Sequence, residues 1–208
     1  MKAPFPYFGG KRRIASKVWQ ALGDVDHYIE PFFGSGAVLF SRVDWQGKTE
    51  TINDKDAFIS NVWRSIKYQQ PDKTATYCLY PIHHSELIAR KKFIFKNKER
   101  LYRNIIANPD FYDARMAGYW IYAASLSNNN QIPSISNNGK GVFRSEVNDI
   151  QLYFNKLSSR LSKVRVCNGD WNQILGGNWQ DKSWKSVGIF LDPPYKNFEN
   201  LLRFNYEN

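Results

Sequence analysis

The sequence predicts an α/β fold in which helices flank a doubly wound parallel sheet. In residues 1–70, short apolar strands alternate with amphipathic helices, and the alternation returns in residues 148–208. Because each helix carries the chain back to the starting edge, strands joined in this way pair in parallel. Residues 71–147 lack the alternation and predict a mainly helical insertion on the sheet. The chain therefore divides into one sheet-bearing domain, formed by both ends of the sequence, and an inserted region.

Hydrophobic periodicity sets the elements of the first half. Apolar residues at three-to-four spacing mark helices, and short apolar runs between turns mark strands. A glycine turn, Gly34-Ser35-Gly36, joins the first strand to the apolar run 37–40, which predicts the start of a helix. The other predicted elements are a helix over 11–22 that Gly23 ends, a strand over 27–32, a strand over 49–53 and a helix over 57–67.

The remaining elements follow from the same patterns. The insertion contains helical stretches over 90–103 and 110–126 and an Asn/Ser/Gly-rich loop over 125–141. A helix over 148–161 and a strand over 164–167 come next. A last strand over 187–191 runs directly into a loop with two consecutive prolines.

Composition indicates a globular protein that attracts polyanions. The chain carries 29 Lys and Arg against 19 Asp and Glu, a formal net charge of +10. Nucleic acid is the leading partner for such a surface, although a charge that serves only solubility is an equal alternative. Cys78 and Cys167 match no metal-ligand spacing, and no stretch resembles a signal peptide or a membrane span. We therefore expect a soluble intracellular protein with no metal and no membrane partner.

The glycine turn is the first candidate binding site, because it stands where a strand passes into a helix. Glycine lets backbone approach a ligand closely, and the first turn of a helix has unpaired N–H groups. A dinucleotide site would need glycine at position 39, which is Leu. Asp54 follows Gly34 by twenty residues, at a strand end where a carboxylate can bind ribose hydroxyls. Together they predict a nucleoside pocket; singly, an ordinary turn and a helix-capping Asp explain them better.

The second candidate site is the loop Asp192-Pro193-Pro194-Tyr195. Its prolines stiffen the loop and remove two N–H donors, so the Asp192 carboxylate and the Pro193 carbonyl present an edge rich in acceptors. An amine can donate to that edge while Tyr195 stacks on a planar base. A proline turn with a capping Asp is the alternative interpretation.

Taken together, the motifs resemble those of the Dam-type DNA adenine methyltransferases, in the order found in that family. The tetrapeptide is the most specific part, because related glutamine and cytosine-N4 methylating enzymes typically begin it with Asn and Ser. Glu30 departs from the family, which usually has Asp there, but it keeps the charge. The matching motifs are PFPYFGGK at 4–11, EPFFGSG at 30–36, Asn53-Asp54, GDW at 169–171 and DPPY at 192–195.

The resemblance implies a Rossmann-like methyltransferase sheet, S-adenosyl-L-methionine as cofactor, and methylation of adenine N6 in double-stranded DNA after the base is flipped out of the helix. It also implies a monomer in the cytoplasm of a bacterium, or encoded by a phage. The catalytic loop would be Asp192, Pro193, Pro194 and Tyr195. The cofactor-binding residues would be Tyr7, Lys11, Phe33, Gly34, Ser35, Asp54, Asp170 and Asp192.

A basic cluster in the insertion predicts phosphate binding, with a solvated helix face as the alternative. We expect the insertion to be the target-recognition region, with the loop from Asn128 to Lys140 entering a DNA groove. His83 and His84 are adjacent and point apart, so we assign them no metal. The cluster comprises Arg90, Lys91, Lys92, Lys96, Lys98, Arg100 and Arg103.

Sixteen residues, 193–208, follow Asp192. Because the family fold continues with further strands and helices, we expect a fragment or truncated chain whose sheet is incomplete at the C-terminus. Two alternatives stay open. The same loop chemistry would permit adenine methylation in RNA, and a truncated relic would bind DNA without holding the cofactor productively.

Overall fold

A computed structural model describes residues 1–5, 7, 9–68, 71–79, 83–126, 150–176 and 184–194. Its centre is a four-stranded sheet in which every neighbouring pair is parallel, which confirms the predicted fold class. The strands lie in the order β3-β2-β1-β4, so the chain builds outward from β1 and then crosses back to place β4 on its other side. The strands are β1 (His27–Glu30), β2 (Thr49–Asp54), β3 (Val164–Asn168) and β4 (Val187–Ile189).

Helices account for most of the remaining described residues. Five of them match predicted helices within a few residues or extend them, whereas α3 and α7 were not predicted. The helices are α1 (Ala15–Leu22), α2 (Ala57–Lys67), α3 (Pro71–Cys78), α4 (His84–Ala107), α5 (Ala114–Leu126), α6 (Ile150–Leu161) and the short α7 (Trp171–Leu175).

The prediction that a helix starts in residues 37–40 is wrong. The segment forms a single 3₁₀ turn, Leu39–Ser41. Its backbone carbonyls bond to distant side chains instead of continuing a helix: Trp19 Nε1 donates to the Val38 oxygen at 2.8 Å, and Arg160 Nη2 donates to the Leu39 oxygen at 3.2 Å. Tertiary hydrogen bonds therefore override the local apolar pattern here.

Helix α2 is the element on which the sheet and the insertion both rest. Asp56 caps its start by accepting from the Phe58 N–H at 2.8 Å. Its apolar stripe, with Ile59 and Trp63, is fully buried against the sheet. At its other end the buried Arg64 donates to the carbonyls of three residues that follow or end α4, which are Ile105, Asn108 and Phe111.

The helices of residues 71–126 share the hydrophobic core of the sheet domain. Helix α5 packs on α2, α3 and α4. Its Trp120 meets Phe5 edge-to-face at 5.1 Å between ring centroids, and Phe5 also contacts Trp63 of α2. The insertion is thus joined to the sheet domain by a continuous apolar cluster.

Within these ranges, none of the helices is both long and apolar enough to traverse a lipid bilayer. Among the same residues, His, Cys, Asp and Glu side chains form no group of three suited to a metal ion.

A buried ionic cluster joins β2, α6 and the segment before β2. Glu50, 3% exposed, accepts from Arg160 Nη1 at 2.5 Å, from Arg160 Nη2 at 2.9 Å and from Arg42 Nη1 at 3.3 Å. Arg42 also donates to the Val25 carbonyl at 2.5 Å, and Arg160 lies over the Trp45 ring. Glu50 is therefore the buried counter-ion of both guanidinium groups, and the largely exposed Asp24 lies farther from Arg42, at 3.7 Å.

We expect Glu50→Gln to lower the free energy of unfolding by about 3 kcal/mol or more, because it removes the buried counter-ion of two buried guanidinium groups. Urea unfolding monitored by tryptophan fluorescence measures this change. The control is Lys55→Gln, whose exposed ion pair with Asp170 should contribute less than about 1 kcal/mol. Equal losses in the two variants would contradict the assignment.

Candidate active site

The candidate site lies at the carboxyl edge of the sheet, where β1 and β4 are neighbours. The strand order reverses between these two strands, and in open parallel sheets the loops diverge at that point and leave a crevice for ligands. The glycine turn follows β1 and Asp192 follows β4, so both line this crevice. Asp54 ends β2 and Asp170 follows β3, one and two strands farther along the same edge.

Three hydrogen bonds to the backbone of residues 33 and 34 fix the glycine turn to β2 and α2. The Gly34 N–H donates to Asp54 Oδ2 at 2.9 Å, and Trp63 Nε1 donates to the Gly34 carbonyl at 2.8 Å. The Phe33 N–H donates to the Asn53 carbonyl at 2.9 Å. Because these partners come from the next strand and helix, the turn has a fixed position before any ligand arrives.

Gly34 is required at its position for two reasons. Its φ of +49° is a left-handed conformation that glycine adopts without strain. A Cβ built there would lie 2.5 Å from Cε1 of Tyr7, so the tyrosine ring packs directly on the turn. The structure therefore brings Tyr7, Gly34 and Ser35 together in one pocket wall.

Asp54 uses both carboxylate oxygens within the protein. Oδ2 accepts from Gly34 N–H, and Oδ1 accepts from Asp56 N–H at 2.9 Å. Burial and the nearby Asp56 charge raise the pKa of Asp54 to about 7, although the two N–H donors act in the opposite direction. The first role of this carboxylate is thus to hold the glycine turn against β2.

Two asparagine amides connect the strand ends across the sheet. Asn53 Nδ2 donates at 3.0 Å to both the Pro31 carbonyl after β1 and the Gly169 carbonyl after β3. Asn168 Nδ2 donates to the Asp54 carbonyl at 2.8 Å. These bonds hold the loops after β1, β2 and β3 in one arrangement.

Asp192 faces the glycine turn across a small pocket. Lys11 Nζ lies 2.7 Å from Asp192 Oδ2 and also donates to the Gly9 carbonyl at 2.9 Å. The cavity between the turn and the loop has a volume of about 20 Å³, and the side chains of Tyr7 and Lys11 line it. The pocket is lined by Tyr7, Gly9, Gly10, Lys11, Glu30, Phe32, Phe33, Gly34, Ser35, Ala37 and Asp192.

Pro193 and Pro194 follow Asp192 as an exposed segment. Tyr195 lies outside the described residues. The geometry therefore supports the expected meeting of the turn and the Asp192 loop, while the stacking role of Tyr195 stays a prediction.

Glu30 lines the pocket, and the sequence motifs predict no role for it. It is 3% exposed and accepts from the Tyr28 hydroxyl at 2.9 Å. Burial raises the pKa of Glu30 to about 8, helped by the Asp192 and Asp54 charges, while hydrogen bonds from Tyr28 and Leu39 N–H act in the opposite direction. The feature of the sequence that could have identified Glu30 as a site residue is its longer carboxylate side chain in the EPFFGSG motif.

Asp170 borders the site without lining the pocket. It caps α7 by accepting from the Asn172 N–H at 3.3 Å, and it forms an exposed ion pair with Lys55 at 3.3 Å. The next residue, Trp171, is 45% exposed, and its ring centroid lies 6.5 Å from that of Phe32 in the pocket wall. This pair of rings extends the site from the glycine turn toward Asp170.

Two residues of the predicted phosphate-binding cluster do not fit that role. Arg90 is 2% exposed, donates to Glu86 and to the Tyr77 carbonyl, and lies over the Tyr122 ring at 4.1 Å. Lys91 is 4% exposed, and burial lowers its pKa. Both side chains face the helical core. The exposed basic surface is therefore smaller than the run of basic residues in the sequence predicts.

The other cluster residues are more accessible. Lys98 is half-buried beside the Tyr102 ring, and Arg100 pairs with Asp113 at 2.7 Å. Asn128 and Lys140 lie outside the described residues. Lys92, Lys96 and Arg103 are exposed and follow the helical spacing of one stripe on α4.

A family model described as D12 class N6 adenine-specific DNA methyltransferase matches residues 7–207. The matched range contains the glycine turn, the insertion and the Asp192 loop. A comparison with curated proteins finds no match.

We expect the stability difference between the wild type and Glu30→Gln to depend on pH. A carboxyl whose pKa is raised on folding contributes stability below its ordinary pKa of 4.5, and this contribution is lost as the pH rises through 8. Across that pH window, the free energy of unfolding of the wild type should therefore fall by a few kcal/mol relative to that of the variant, at about 1.4 kcal/mol per unit of pKa shift. Urea unfolding at several pH values measures this difference; a constant difference would contradict the assignment.

Proposed function

Because the chain belongs to the D12 class of N6 adenine-specific DNA methyltransferases, we propose that it transfers a methyl group from S-adenosylmethionine to the N6 amine of an adenine extruded from duplex DNA. The observation that carries this proposal is the single pocket shared by the glycine turn and Asp192. A cofactor held by the turn and an amine held by Asp192 would be adjacent there, as direct transfer requires.

The residues of the pocket suit S-adenosylmethionine, which supplies an electrophilic methyl on a positively charged sulfur. Glu30 and Asp192 line the pocket, and Asp54 lies beside it, so carboxylates outnumber the cation Lys11. The raised pKa values leave Glu30 largely protonated and Asp54 partly protonated near pH 7, but a bound cation would stabilise their ionised forms, whereas a phosphate would oppose them. The pocket therefore favours a cationic ligand over a phosphate-bearing one. The Tyr7 side chain can rotate away, and the fixed glycine backbone would form the floor.

The adenosine part of the cofactor would extend toward β3. Phe32 and Trp171 offer two aromatic faces at 6.5 Å between centroids, the long end of the range for direct ring contact. Trp171 is partly exposed, so its ring can adjust to a planar ligand. Asp54 and Asp170 lie at the neighbouring strand ends, where they would accept from ribose hydroxyls and the adenine amine.

Asp192 would hold the target amine for transfer. Lys11 fixes Oδ2, and no described residue donates to Oδ1. Oδ1 and the Pro193 carbonyl would accept the two N–H bonds of the adenine amine, which localises its lone pair on nitrogen and directs it at the methyl group. Lys11 thereby acts as a positioning residue for Asp192.

Extrusion of the adenine costs a few kcal/mol of stacking and pairing energy. Hydrogen bonds to Asp192 and Pro193 would offset part of this cost, and stacking on Tyr195 would offset more. The exposed stripe Lys92, Lys96 and Arg103 on α4 would hold the duplex through its phosphates.

Asp192→Ala should lower the methylation rate at saturating substrates by about 100-fold or more, because the amine loses its charged acceptor. DNA affinity should stay within about twofold, since the carboxylate meets the base and not the phosphates. Single-turnover transfer of a labelled methyl group and fluorescence anisotropy measure the two quantities. Asp24→Ala, at a largely exposed position, is the control. Near-normal methylation by Asp192→Ala would refute the assigned role.

Charge reversal on the α4 stripe, Lys92→Glu with Lys96→Glu, should weaken duplex binding by about tenfold and make it less dependent on salt. The control is Lys163→Glu with Lys185→Glu, at exposed positions before β3 and β4 on the opposite edge of the sheet. If the stripe variant binds with unchanged affinity and salt dependence, the stripe is a solvated helix face. RNA as competitor in the same assay tests whether duplex DNA is the preferred partner.

A further inference from the structure

An exposed basic patch adjoins the Asp192 pocket on the side of Lys11. It is formed by Arg12, Arg13 and Lys17, all exposed, in the turn that leads into α1 and in the first turn of that helix. The patch begins next to Lys11, whose ammonium contacts the Asp192 carboxylate at 2.7 Å. No part of the predicted DNA surface includes these residues.

Nothing within the described residues neutralises the patch. Arg12, Arg13 and Lys17 form no ion pair or hydrogen bond through their side chains with a described residue. The first turn of α1 contains no acidic residue, and its N-cap position, Ile14, supplies no capping side chain. Arg12 also lies close enough to Met1 for its charge to lower the pKa of the terminal amine. The local field is therefore positive and suits an anion.

We infer that Arg12 and Arg13 bind the backbone phosphates that flank the extruded adenine. This inference rests on the proposed function. An adenine whose amine reaches Asp192 brings its own sugar and phosphates to the rim of the pocket, and the exposed residues that directly follow the pocket residue Lys11 are Arg12 and Arg13. The neutral pocket wall formed by Gly9 and Gly10 leaves room for the backbone to approach.

Arginine suits this role because its guanidinium donates two parallel hydrogen bonds to phosphate oxygens. Phosphate contacts fix the register of a nucleic acid without reading its sequence. Arg12 and Arg13 would thus hold the extruded nucleotide in register with Asp192, and the α4 stripe would bind the duplex elsewhere.

The first test compares two double variants. One carries Arg12→Gln and Arg13→Gln. The control carries Lys163→Gln and Lys185→Gln, which remove two exposed charges at the opposite sheet edge. Anisotropy with a duplex over a range of salt should show the arginine variant about tenfold weaker, with a log–log salt slope smaller by about 1.8, or about 0.9 for each lost phosphate contact. The control should bind nearly as the wild type does. Equal behaviour of both variants would overturn the inference.

The second test locates the contact on the DNA. Methylation-sensitive sequencing first identifies an adenine that the enzyme methylates. Neutral methylphosphonates then replace the two phosphates that flank this adenine. They should weaken the wild type and leave the arginine variant nearly unaffected, because the partner is already gone. The same change several base pairs away should weaken both proteins alike. Additive losses at the flanking phosphates would overturn the inference.

Failure of the proposed function gives a different result. If the wild type binds duplex and methylates none of it, the enzyme proposal fails, while the salt comparison still decides whether the patch binds phosphate. Calorimetry of S-adenosylmethionine with the arginine variant should give wild-type affinity. A matching loss of cofactor binding would mean that the substitutions disturb the pocket, and would count against a phosphate role.

Discussion

The Asp54 carboxylate organises the candidate site, because two backbone N–H groups from different segments converge on it. One belongs to Gly34 in the glycine turn, and the other to Asp56 at the start of α2. Without this acceptor both N–H donors would be left unpaired in a partly buried place, and each would lower the free energy of unfolding by about 1–3 kcal/mol. Asn53 and Asn168 extend the arrangement to the loops after β1 and β3. The pocket is thus preorganised by the end of one strand.

The distribution of charge separates two kinds of ligand. Inside, burial raises the pKa of Glu30 to about 8, helped by the Asp192 and Asp54 charges, and burial with the nearby Asp56 charge raises that of Asp54 to about 7, so that a bound cation would stabilise both ionised forms. Such a pocket favours a cation. Outside, the chain carries a net charge of +10, with exposed basic groups on α4 and before α1. A DNA methyltransferase needs both, because its methyl donor is cationic and its substrate is a polyanion.

The sequence predicted the parts of the site that depend on sheet topology. Parallel strands bring their carboxyl ends to one edge, so the Gly34 turn, Asp54 and Asp192 could be expected together from the order of motifs alone. Sequence could not show that Asp54 holds Gly34, since a hydrogen bond across twenty residues leaves no periodic signal. Nor did it show that Arg90 faces Tyr122, because a run of basic residues on a helix contains both buried and exposed positions.

The central claim is that this pocket transfers a methyl group to adenine N6. Its most direct test incubates the wild-type protein with duplex DNA and S-adenosylmethionine labelled in the methyl group, then digests the DNA to nucleosides for mass spectrometry. The account predicts that the label appears in N6-methyldeoxyadenosine. Label found only in another base, or in no nucleoside although the protein binds both substrates, would contradict it.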